Sequence, residues 1–535
     1  MKKITCILSV LLLMAVANIF AQKSAKPNIL FIAIDDLKPI LGCYGNTQIK
    51  TPNIDRLAKM GTVFMNNYVQ QAVCGPTRAS LMTGMRPDVT KIWDLKTRMR
   101  DVNPDILSLP QYLITQGYST QGIGKVYDPR CVDKDIDKPS WSVPYYKTDR
   151  KYYAVETGDP ALERYQLPET KALAEKYIKE ALSKGKTKAE ANEYARTSIK
   201  PSVESADVPD NAYNDGANVL QAINILGKLS KSNQPFFFAV GIAKPHLPFV
   251  SPKKYWDLYK REDMPLAQFQ EKSKNAVDIA YHTAGELRSY SDIPPLTSFT
   301  DQKPYGLTLP IDKQKELIHG YYAAISYMDA LVGKLLNTLD SLVLTKNTII
   351  ILWGDHGWHL GDHNLWCKHT NFEQATHAPL IISAPGIQPS KTQSQSEFVD
   401  VFPTLCELAE VKIPAHLNGK SLVPLMKNPS ASVKEFSVSQ YPRSNATAEN
   451  ERLGYADANA MGYSIRTTQY RYTIWMSNGF KSTQPFNKDF IIGTELYDYN
   501  KDPLERVNVA NDKKYATISK EMNNKMMAFL KSQVK

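Results

Sequence analysis

Residues 28–36 read Asn-Ile-Leu-Phe-Ile-Ala-Ile-Asp-Asp, a nearly continuous apolar run that ends on two carboxylates. Such a run predicts a strand that is buried on both faces, as in a parallel sheet covered by helices. Similar runs recur at 235–242, 348–353 and 379–383, each followed by Gly, Pro, Asp or His. Polar residues are therefore expected where several strands of one sheet end.

Helical patterns lie between these runs, at 53–60, 108–116, 213–229 and 313–342. Alternating strands and helices predict an α/β fold with a large, mostly parallel sheet flanked by helices on both faces. In such folds the chemistry gathers outside the carboxyl ends of the strands. The residues that follow the apolar runs are thus the first candidates for a functional site.

Two regions have a different character. Residues 145–209 are rich in Lys, Glu and Ala, with a predicted helix over 169–196, and are interpreted as a solvated surface insertion. Short Tyr-rich strands are expected at 463–467, 470–475 and 495–499, followed by a helix near the end. We therefore expect one large α/β domain over residues 22–430, which would carry the functional site, and a smaller α+β C-terminal domain over 431–535.

The first 21 residues have the pattern of a secretory signal peptide. Lys2 and Lys3 precede an apolar run over 7–16, and cleavage is expected after Ala21. The run is too short to span a bilayer comfortably, and no later segment approaches the required length without charges. We expect an exported protein, periplasmic or secreted, without a membrane span.

Composition excludes wholesale disorder, collagen and coiled coil, because 43% of the residues are hydrophobic and 22% are charged. There are 65 Lys and Arg against 54 Asp and Glu, a net charge of +11 that suits an anionic partner. An odd number of cysteines remains after the signal segment, so at least one is unpaired or modified. They are Cys43, Cys74, Cys131, Cys367 and Cys406.

The segment 74–80, Cys-Gly-Pro-Thr-Arg-Ala-Ser, predicts a helix that begins at Cys74, because Pro76 is tolerated in a first turn. Arg78 falls one turn along the same face. This placement is expected to favour an anionic group on Cys74. Taken alone, the pattern fits equally well a buried structural cysteine beside a surface arginine.

Together with Leu-Met-Thr-Gly at 81–84, this segment resembles the first signature of the sulfatase family, and 117–125 approximates the second. The resemblance runs from Pro27 to Leu-Tyr-Asp at 496–498. It implies an alkaline-phosphatase-like fold, with Cys74 oxidised to formylglycine by a maturase before export. One hydroxyl of the aldehyde hydrate would attack sulfur and the other would later expel sulfate.

The resemblance also implies one calcium ion, held by the modified Cys74 together with Asp35, Asp36, Asp355 and His356. Carboxylates at two strand ends provide the oxygen ligands that calcium takes. Read alone, the aspartates would also fit helix caps or turns.

Further catalytic residues are carried over by resemblance. Arg78 is one of them. Lys125 and Lys368 would hold the sulfate, and His246 would donate a proton to the leaving alcohol. At Asp128, in Lys-Val-Tyr-Asp-Pro, the sequence departs from the histidine usual in the family. Asp128 is either a replacement base for sulfate release or a turn residue before Pro129.

Within the family, segments 240–246, 355–363 and 368–379 are most similar to the iduronate-2-sulfatase type. This implies a sulfated oligosaccharide partner, not nucleic acid, and exo-acting removal of 2-O-sulfate from a uronic acid of heparin or chondroitin type. Arg98, Arg100 and Trp358 are candidates for binding the carboxylated sugar, or are surface or supporting residues.

Three alternative functions remain open at this stage. The chain could be a sulfatase for another sulfated polysaccharide, a phosphonate or phosphodiester hydrolase with the same cysteine motif, or a non-catalytic glycan-binding relative.

Overall fold

The computed structural model describes residues 26–154, 164–294, 306–443, 459–477 and 487–533. The expected signal peptide, residues 1–21, lies outside these ranges. Within them, no helix combines the length and the apolar character needed to cross a membrane.

Seven strands form one large sheet in the order β7-β2-β6-β5-β1-β4-β3. All neighbours pair in parallel except β6, which is antiparallel to both β2 and β5. The mostly parallel α/β fold is therefore confirmed. The strands are β1 Asn28–Ile34, β2 Thr62–Tyr68, β3 Ser119–Gly124, β4 Phe236–Ile242, β5 Thr348–Gly354, β6 Leu380–Ser383 and β7 Ser390–Glu397.

Helices cover both faces of the sheet, which explains the continuous apolar runs. Along β1, Leu30, Ile32 and Ile34 belong to one buried cluster and Ile29 and Phe31 to the other. Residues of α1, α6 and α7 pack in the first cluster, and residues of α2, α3 and α8 in the second. These helices are α1 Pro52–Ala58, α2 Cys74–Thr83, α3 Leu109–Thr115, α4 Pro168–Ser183, α5 Lys188–Ser198, α6 Asn214–Leu229, α7 Ile311–Ser341 and α8 Val401–Leu408.

The single helix expected over 169–196 is wrong, because two helices, α4 and α5, occupy this region. Gly185 adopts a φ of +80° between them, in the left-handed region that favours glycine, and Thr187 caps α5 through the backbone N–H of Glu190. The interpretation as a solvated insertion holds only for the outer faces. Several of its residues line the large cleft described below.

A second, antiparallel sheet has the order β8-β9-β10-β11 and packs against the last helix. Its elements are β8 Ser437–Arg443, β9 Ala460–Arg466, β10 Tyr470–Ser477, β11 Ile491–Asp498 and α9 Ala516–Gln533. The smaller α+β unit is thus present, while its boundary at residue 431 stays a prediction.

Ion pairs lie where the second sheet meets the larger one. Arg466 of β9 binds Glu373 at 2.9 Å, and Arg86 binds Glu397, the last residue of β7, at 2.8 Å. Burial opposes ionisation of both glutamates, but the neighbouring cations lower each pKa to about 2. Both carboxylates are therefore charged at neutral pH. Glu397 links the two sheets directly, because its Oε1 also accepts the backbone N–H of Val438 in β8 at 2.8 Å.

The sheet positions the site because β1, β3, β4 and β5 end at the same edge. A close approach between β3 and β4 fixes one part of it. A Cβ atom on Gly241 would lie 2.1 Å from the backbone carbon of Lys125, so only glycine fits there. The residue that follows β3 is thereby held against the end of β4.

We expect Gly241→Ala to lower the free energy of unfolding by about 2 kcal/mol or more and to reduce activity, because the backbone at Lys125 must move. The matched control is Gly227→Ala in α6, where a Cβ atom meets open space. It should raise stability by about 0.5–1 kcal/mol. Urea unfolding measures both, and equal effects would contradict the close approach.

Candidate active site

An acidic cluster lies at the carboxyl edge of the large sheet. Asp35 and Asp36 follow β1, Asp355 and His356 follow β5, and Cys74 is the first residue of α2; all five are buried. Ligand atoms of Asp36, Cys74, Asp355 and His356 all lie within 4.8 Å of one another. The structure thus brings together residues that the sequence places in three separate segments.

The chemistry of this cluster fits a hard cation. Burial, and then repulsion from Asp35, Glu286 and Asp355, raise the pKa of Asp36 although Lys368 opposes this. A divalent cation would relieve that repulsion, and carboxylates are the ligands that calcium prefers. The Cys74 sulfur is a soft ligand, so the fit is best when an oxygen-bearing group replaces the thiol at position 74.

Arg78 holds two aspartates of the cluster in place by hydrogen bonds. Its guanidinium donates to Asp35 at 2.9 Å, to Asp355 at 3.0 Å and to the backbone oxygens of Lys125 and Val126. The side chain is completely buried. Arg78 is therefore a positioning residue for the two aspartates.

The expectation that Arg78 favours an anionic group on Cys74 is wrong. Burial, and then the charge of Asp35, raise the pKa of the Cys74 thiol well above its usual value. The guanidinium cannot compensate because its hydrogen bonds go to the aspartates and to carbonyl groups. An unmodified Cys74 is a protonated thiol and a poor nucleophile.

Two lysines supply fixed positive charge beside Cys74. Lys125 lies with Nζ 2.5 Å from Asp35 Oδ2 and 3.9 Å from the Cys74 sulfur. Lys368 lies with Nζ 2.8 Å from Asp36 Oδ1. Burial opposes their charge, but the neighbouring carboxylates raise the pKa of both lysines. Both remain cations at any physiological pH.

His246 faces the same centre. Its Nε2 lies 3.7 Å from Asp36 Oδ2 and its Nδ1 lies 2.6 Å from the carbonyl oxygen of Leu247. Burial, and then Lys368 and Lys125, lower the pKa of His246 well below its usual value. The ring is therefore neutral, with the Nδ1 proton donated to Leu247 and Nε2 directed at the acidic cluster.

Sequence reasoning missed Glu286, in the single-turn helix Gly285–Arg288. Its Oε1 lies 3.1 Å from Lys368 Nζ and 3.3 Å from His246 Nε2, so it links two of the predicted catalytic residues. Burial opposes its charge, but Lys368 and His246 lower its pKa. No motif surrounds Glu286, and its position follows only from the packing of that turn against the sheet edge.

The surroundings of Asp128 favour the turn interpretation. Its Oδ1 accepts the backbone N–H of Arg130 at 3.0 Å, and its two oxygens accept the Arg130 guanidinium at 2.9 and 2.7 Å. Burial opposes ionisation, but Arg130 and Lys125 lower the pKa of Asp128. A carboxylate held in this way is a weak base.

The proposed sugar-binding residues do not line the cleft within the part of the chain that the structure describes. Arg100 pairs with Asp137, and Arg98 is exposed at the start of a short helix. Trp358 is buried, with its ring centroid 5.0 Å from Lys368 Nζ. The Trp358 ring therefore packs against the ammonium group of Lys368, and its burial disfavours contact with substrate.

A cleft of about 1960 Å³ opens onto the cluster. The cleft is lined by five residues of the candidate site, Asp35, Cys74, Lys125, His246 and Lys368. Aromatic residues such as Tyr145 and Tyr290 also line it. An anionic group that enters would meet two fixed lysines and the group at position 74. This arrangement suits attack on a tetrahedral oxyanion centre.

Comparisons with known proteins agree with this chemistry. The Sulfatase family model matches residues 27–411, and the model for the C-terminal region of N-sulphoglucosamine sulphohydrolase matches residues 361–532. The chain is 34% identical to human iduronate 2-sulfatase, with 91% of each protein covered.

Solved structures share the fold. BT4656, solved in complex with its substrate D-glucosamine-2-N,6-O-disulfate, superposes with a TM-score of 0.67 at 21% identity over 95% of this chain and 98% of its own. The phosphonate monoester hydrolase of Agrobacterium radiobacter gives 0.66 at 23% identity, covering 95% and 96% of the two chains. At these identities the likeness is one of fold.

We expect Asp128→Asn to change kcat by less than about tenfold, below the usual loss on removal of a general base. The limbs of its pH–rate profile should coincide with those of the unchanged protein, because the Asp128 carboxylate is already charged across the working range. Glu175→Asn, at an exposed helix position, serves as the control. A hundredfold loss of kcat with a missing limb would restore Asp128 as a catalytic base.

Proposed function

The chain belongs to the sulfatase family and hydrolyses sulfate esters of sulfated glycans, and we propose that it removes the 2-O-sulfate of a terminal uronic acid in a heparin- or chondroitin-type oligosaccharide. The convergence of Lys125, Lys368 and His246 on Cys74 carries the sulfatase chemistry. The 34% identity to human iduronate 2-sulfatase over nearly the whole chain supports the 2-O-uronate specificity.

We propose that Cys74 is converted to formylglycine by a maturase before export to the periplasm or the cell exterior. The buried, protonated state of the Cys74 thiol supports this, because such a thiol does not act as a nucleophile. Hydrated formylglycine supplies a hydroxyl nucleophile and a second hydroxyl for sulfate release. The exported state rests on the predicted signal peptide.

Calcium, held by Asp35, Asp36, Asp355, His356 and the modified residue 74, would act as a Lewis acid on a sulfate oxygen. Arg78 keeps Asp35 and Asp355 in place for this role. Lys125 and Lys368 would hold the remaining sulfate oxygens, since both ammonium groups act electrostatically on Cys74.

His246 is positioned to donate a proton from Nε2 to the leaving oxygen. Without substrate, burial and the two lysines keep it neutral. The negative charge of a sulfate ester beside Lys125 and Lys368 offsets their repulsion, so protonation of Nε2 becomes easier when substrate is present. Glu286, 3.3 Å from Nε2, favours the protonated ring in the same way.

A substrate panel tests the proposal. We expect sulfate release from a disaccharide with a terminal 2-O-sulfated uronic acid to exceed release from 6-O-sulfated glucosamine by about a hundredfold in kcat/KM, the size of discrimination that polar contacts provide. Ion chromatography of released sulfate measures both, and an aryl phosphonate ester tests the phosphonate hydrolase alternative. Faster hydrolysis of the phosphonate ester or of the glucosamine sulfate would overturn the 2-O-uronate assignment. Cys74→Ala is the inactive control.

Calcium removal and substitution test the metal and residue assignments. Chelation should abolish turnover, calcium should restore it, and Asp35→Asn should lower kcat/KM by at least about a hundredfold through loss of electrostatic stabilisation. Asp263→Asn, at an exposed position, should behave like the unchanged protein. Mass spectrometry of the peptide containing residue 74 should show the aldehyde form in active protein. Full activity with only the thiol present would contradict the formylglycine proposal.

A further inference from the structure

Three of the cations that line the cleft lie on or beside the helices α4 and α5. Arg196 belongs to α5, Lys200 follows that helix, and Arg164 precedes α4. All three come from residues 145–209, the segment interpreted from the sequence as a solvated surface insertion. We call Arg164, Arg196 and Lys200 the basic triad.

Lys200 of the triad is held in place by a polar and an aromatic neighbour. The Lys200 ammonium group donates to Ser289 Oγ at 2.7 Å and lies 4.3 Å from the centroid of the Tyr290 ring. Burial, and then the charges of Arg164 and Arg196, lower the pKa of Lys200. Arg164 and Arg196 also line one small pocket together, so both guanidinium groups lie near Lys200. An anion bound beside Lys200 would offset their repulsion.

The described carboxylates nearest the triad either lie on its exposed side or are shared with another cation. Arg196 binds Glu193 at 2.9 Å on the exposed side of α5. Glu286 attracts Lys200, but it already binds Lys368 at 3.1 Å. By contrast, Lys125 and Lys368 each contact an aspartate of the acidic cluster. Within the part of the chain that the structure describes, the triad therefore has less carboxylate compensation than Lys125 and Lys368.

We propose that Arg164, Arg196 and Lys200 form a second anion-binding subsite, which holds a carboxylate or a further sulfate of the same oligosaccharide whose ester is cleaved at Cys74. This inference rests on the proposed function and names a feature of its substrate, a second acidic group. Arg164 provides a planar guanidinium that matches an oxyanion, and Lys200 provides a point charge. Arg196 binds Glu193 through Nε and Nη2, so its contact with the ligand would be made by Nη1.

The size of the cleft supports a substrate longer than one sugar. Ligand pockets for small molecules usually enclose about 300–1,000 Å³. The cleft, at about 1960 Å³, exceeds this range and contains both the acidic cluster and the basic triad. The half-buried Tyr146 also lines the cleft and gives an apolar surface against which a sugar ring can pack.

The test compares two double variants with the same change in net charge. Arg196→Gln with Lys200→Gln removes two cations of the triad. Lys176→Gln with Lys179→Gln removes two exposed lysines of α4 that lie outside the cleft lining. Thermal unfolding of both variants establishes that they fold, and the matched charge separates local binding from long-range attraction.

Two substrates are used for turnover, a heparin-derived disaccharide carrying a carboxylate and two sulfates, and 4-nitrocatechol sulfate. For the triad variant we expect KM for the disaccharide to rise about tenfold more than KM for the aryl ester, as for loss of two partly exposed charge contacts. The α4 variant should show no such difference. Equal losses on both substrates, or equal behaviour of the two variants, would overturn the subsite.

Two further disaccharides identify the anionic group. One has its carboxyl group reduced to an alcohol and the other lacks the second sulfate. The substrate that becomes insensitive to the triad substitution has lost the group that the triad binds. Continued sensitivity of both to the substitution would mean that either anion can occupy the subsite.

Binding without turnover separates this proposal from the proposed function. In a Cys74→Ala background, calorimetry with the disulfated disaccharide should show about tenfold weaker binding when the triad is substituted. Equal binding, or no binding by Cys74→Ala itself, would overturn the subsite even if the enzyme releases sulfate. A binding difference without sulfate release in the parent protein would uphold the subsite and refute the proposed reaction.

Discussion

The buried guanidinium of Arg78 is the interaction on which the site depends. It donates to Asp35 after β1, to Asp355 after β5 and to the carbonyl of Lys125 after β3, so one side chain ties together the ends of three strands. Burying such charges is costly unless every group finds a partner of good geometry. Here each nitrogen of Arg78 does. The loops that carry the acidic cluster therefore have one stable arrangement.

The second constraint is the alternation of charge around that arrangement. Lys125 contacts Asp35 and Lys368 contacts Asp36, so each cation is fixed by an acid that also belongs to the cluster. Their direction is set before any substrate arrives, which is what stabilisation of a charged transition state requires. The same surroundings keep the thiol of Cys74 protonated. As a free thiol, Cys74 is therefore a poor nucleophile.

The acidic cluster and the part of the cleft proposed to select the substrate come from different parts of the chain. The acidic cluster is built on strand ends of the large sheet, whereas the cleft lining also includes residues of the insertion and of the turn Gly285–Arg288. The α4–α5 pair of that insertion supplies no strand of the large sheet, so its residues can change without moving the cluster. The large sheet fixes the residues of the acidic cluster, whereas the cleft residues of the insertion, which are proposed to bind substrate, can vary.

The sequence by itself determined the apolar strands β1, β4, β5 and β6, the strand-end position of Asp35 and the start of a helix at Cys74, because apolar runs and first-turn signals are local patterns. It did not predict β2 or β3. It missed the strand Ser390–Glu397, whose composition is polar, since pairing with β2 and not hydrophobicity forms it. Only the tertiary structure decided which charges meet. Arg78 turns to two aspartates and away from the cysteine, and Glu286 reaches Lys368, 82 residues later. Desolvation and packing between distant segments select these partners, and no local spacing encodes that choice.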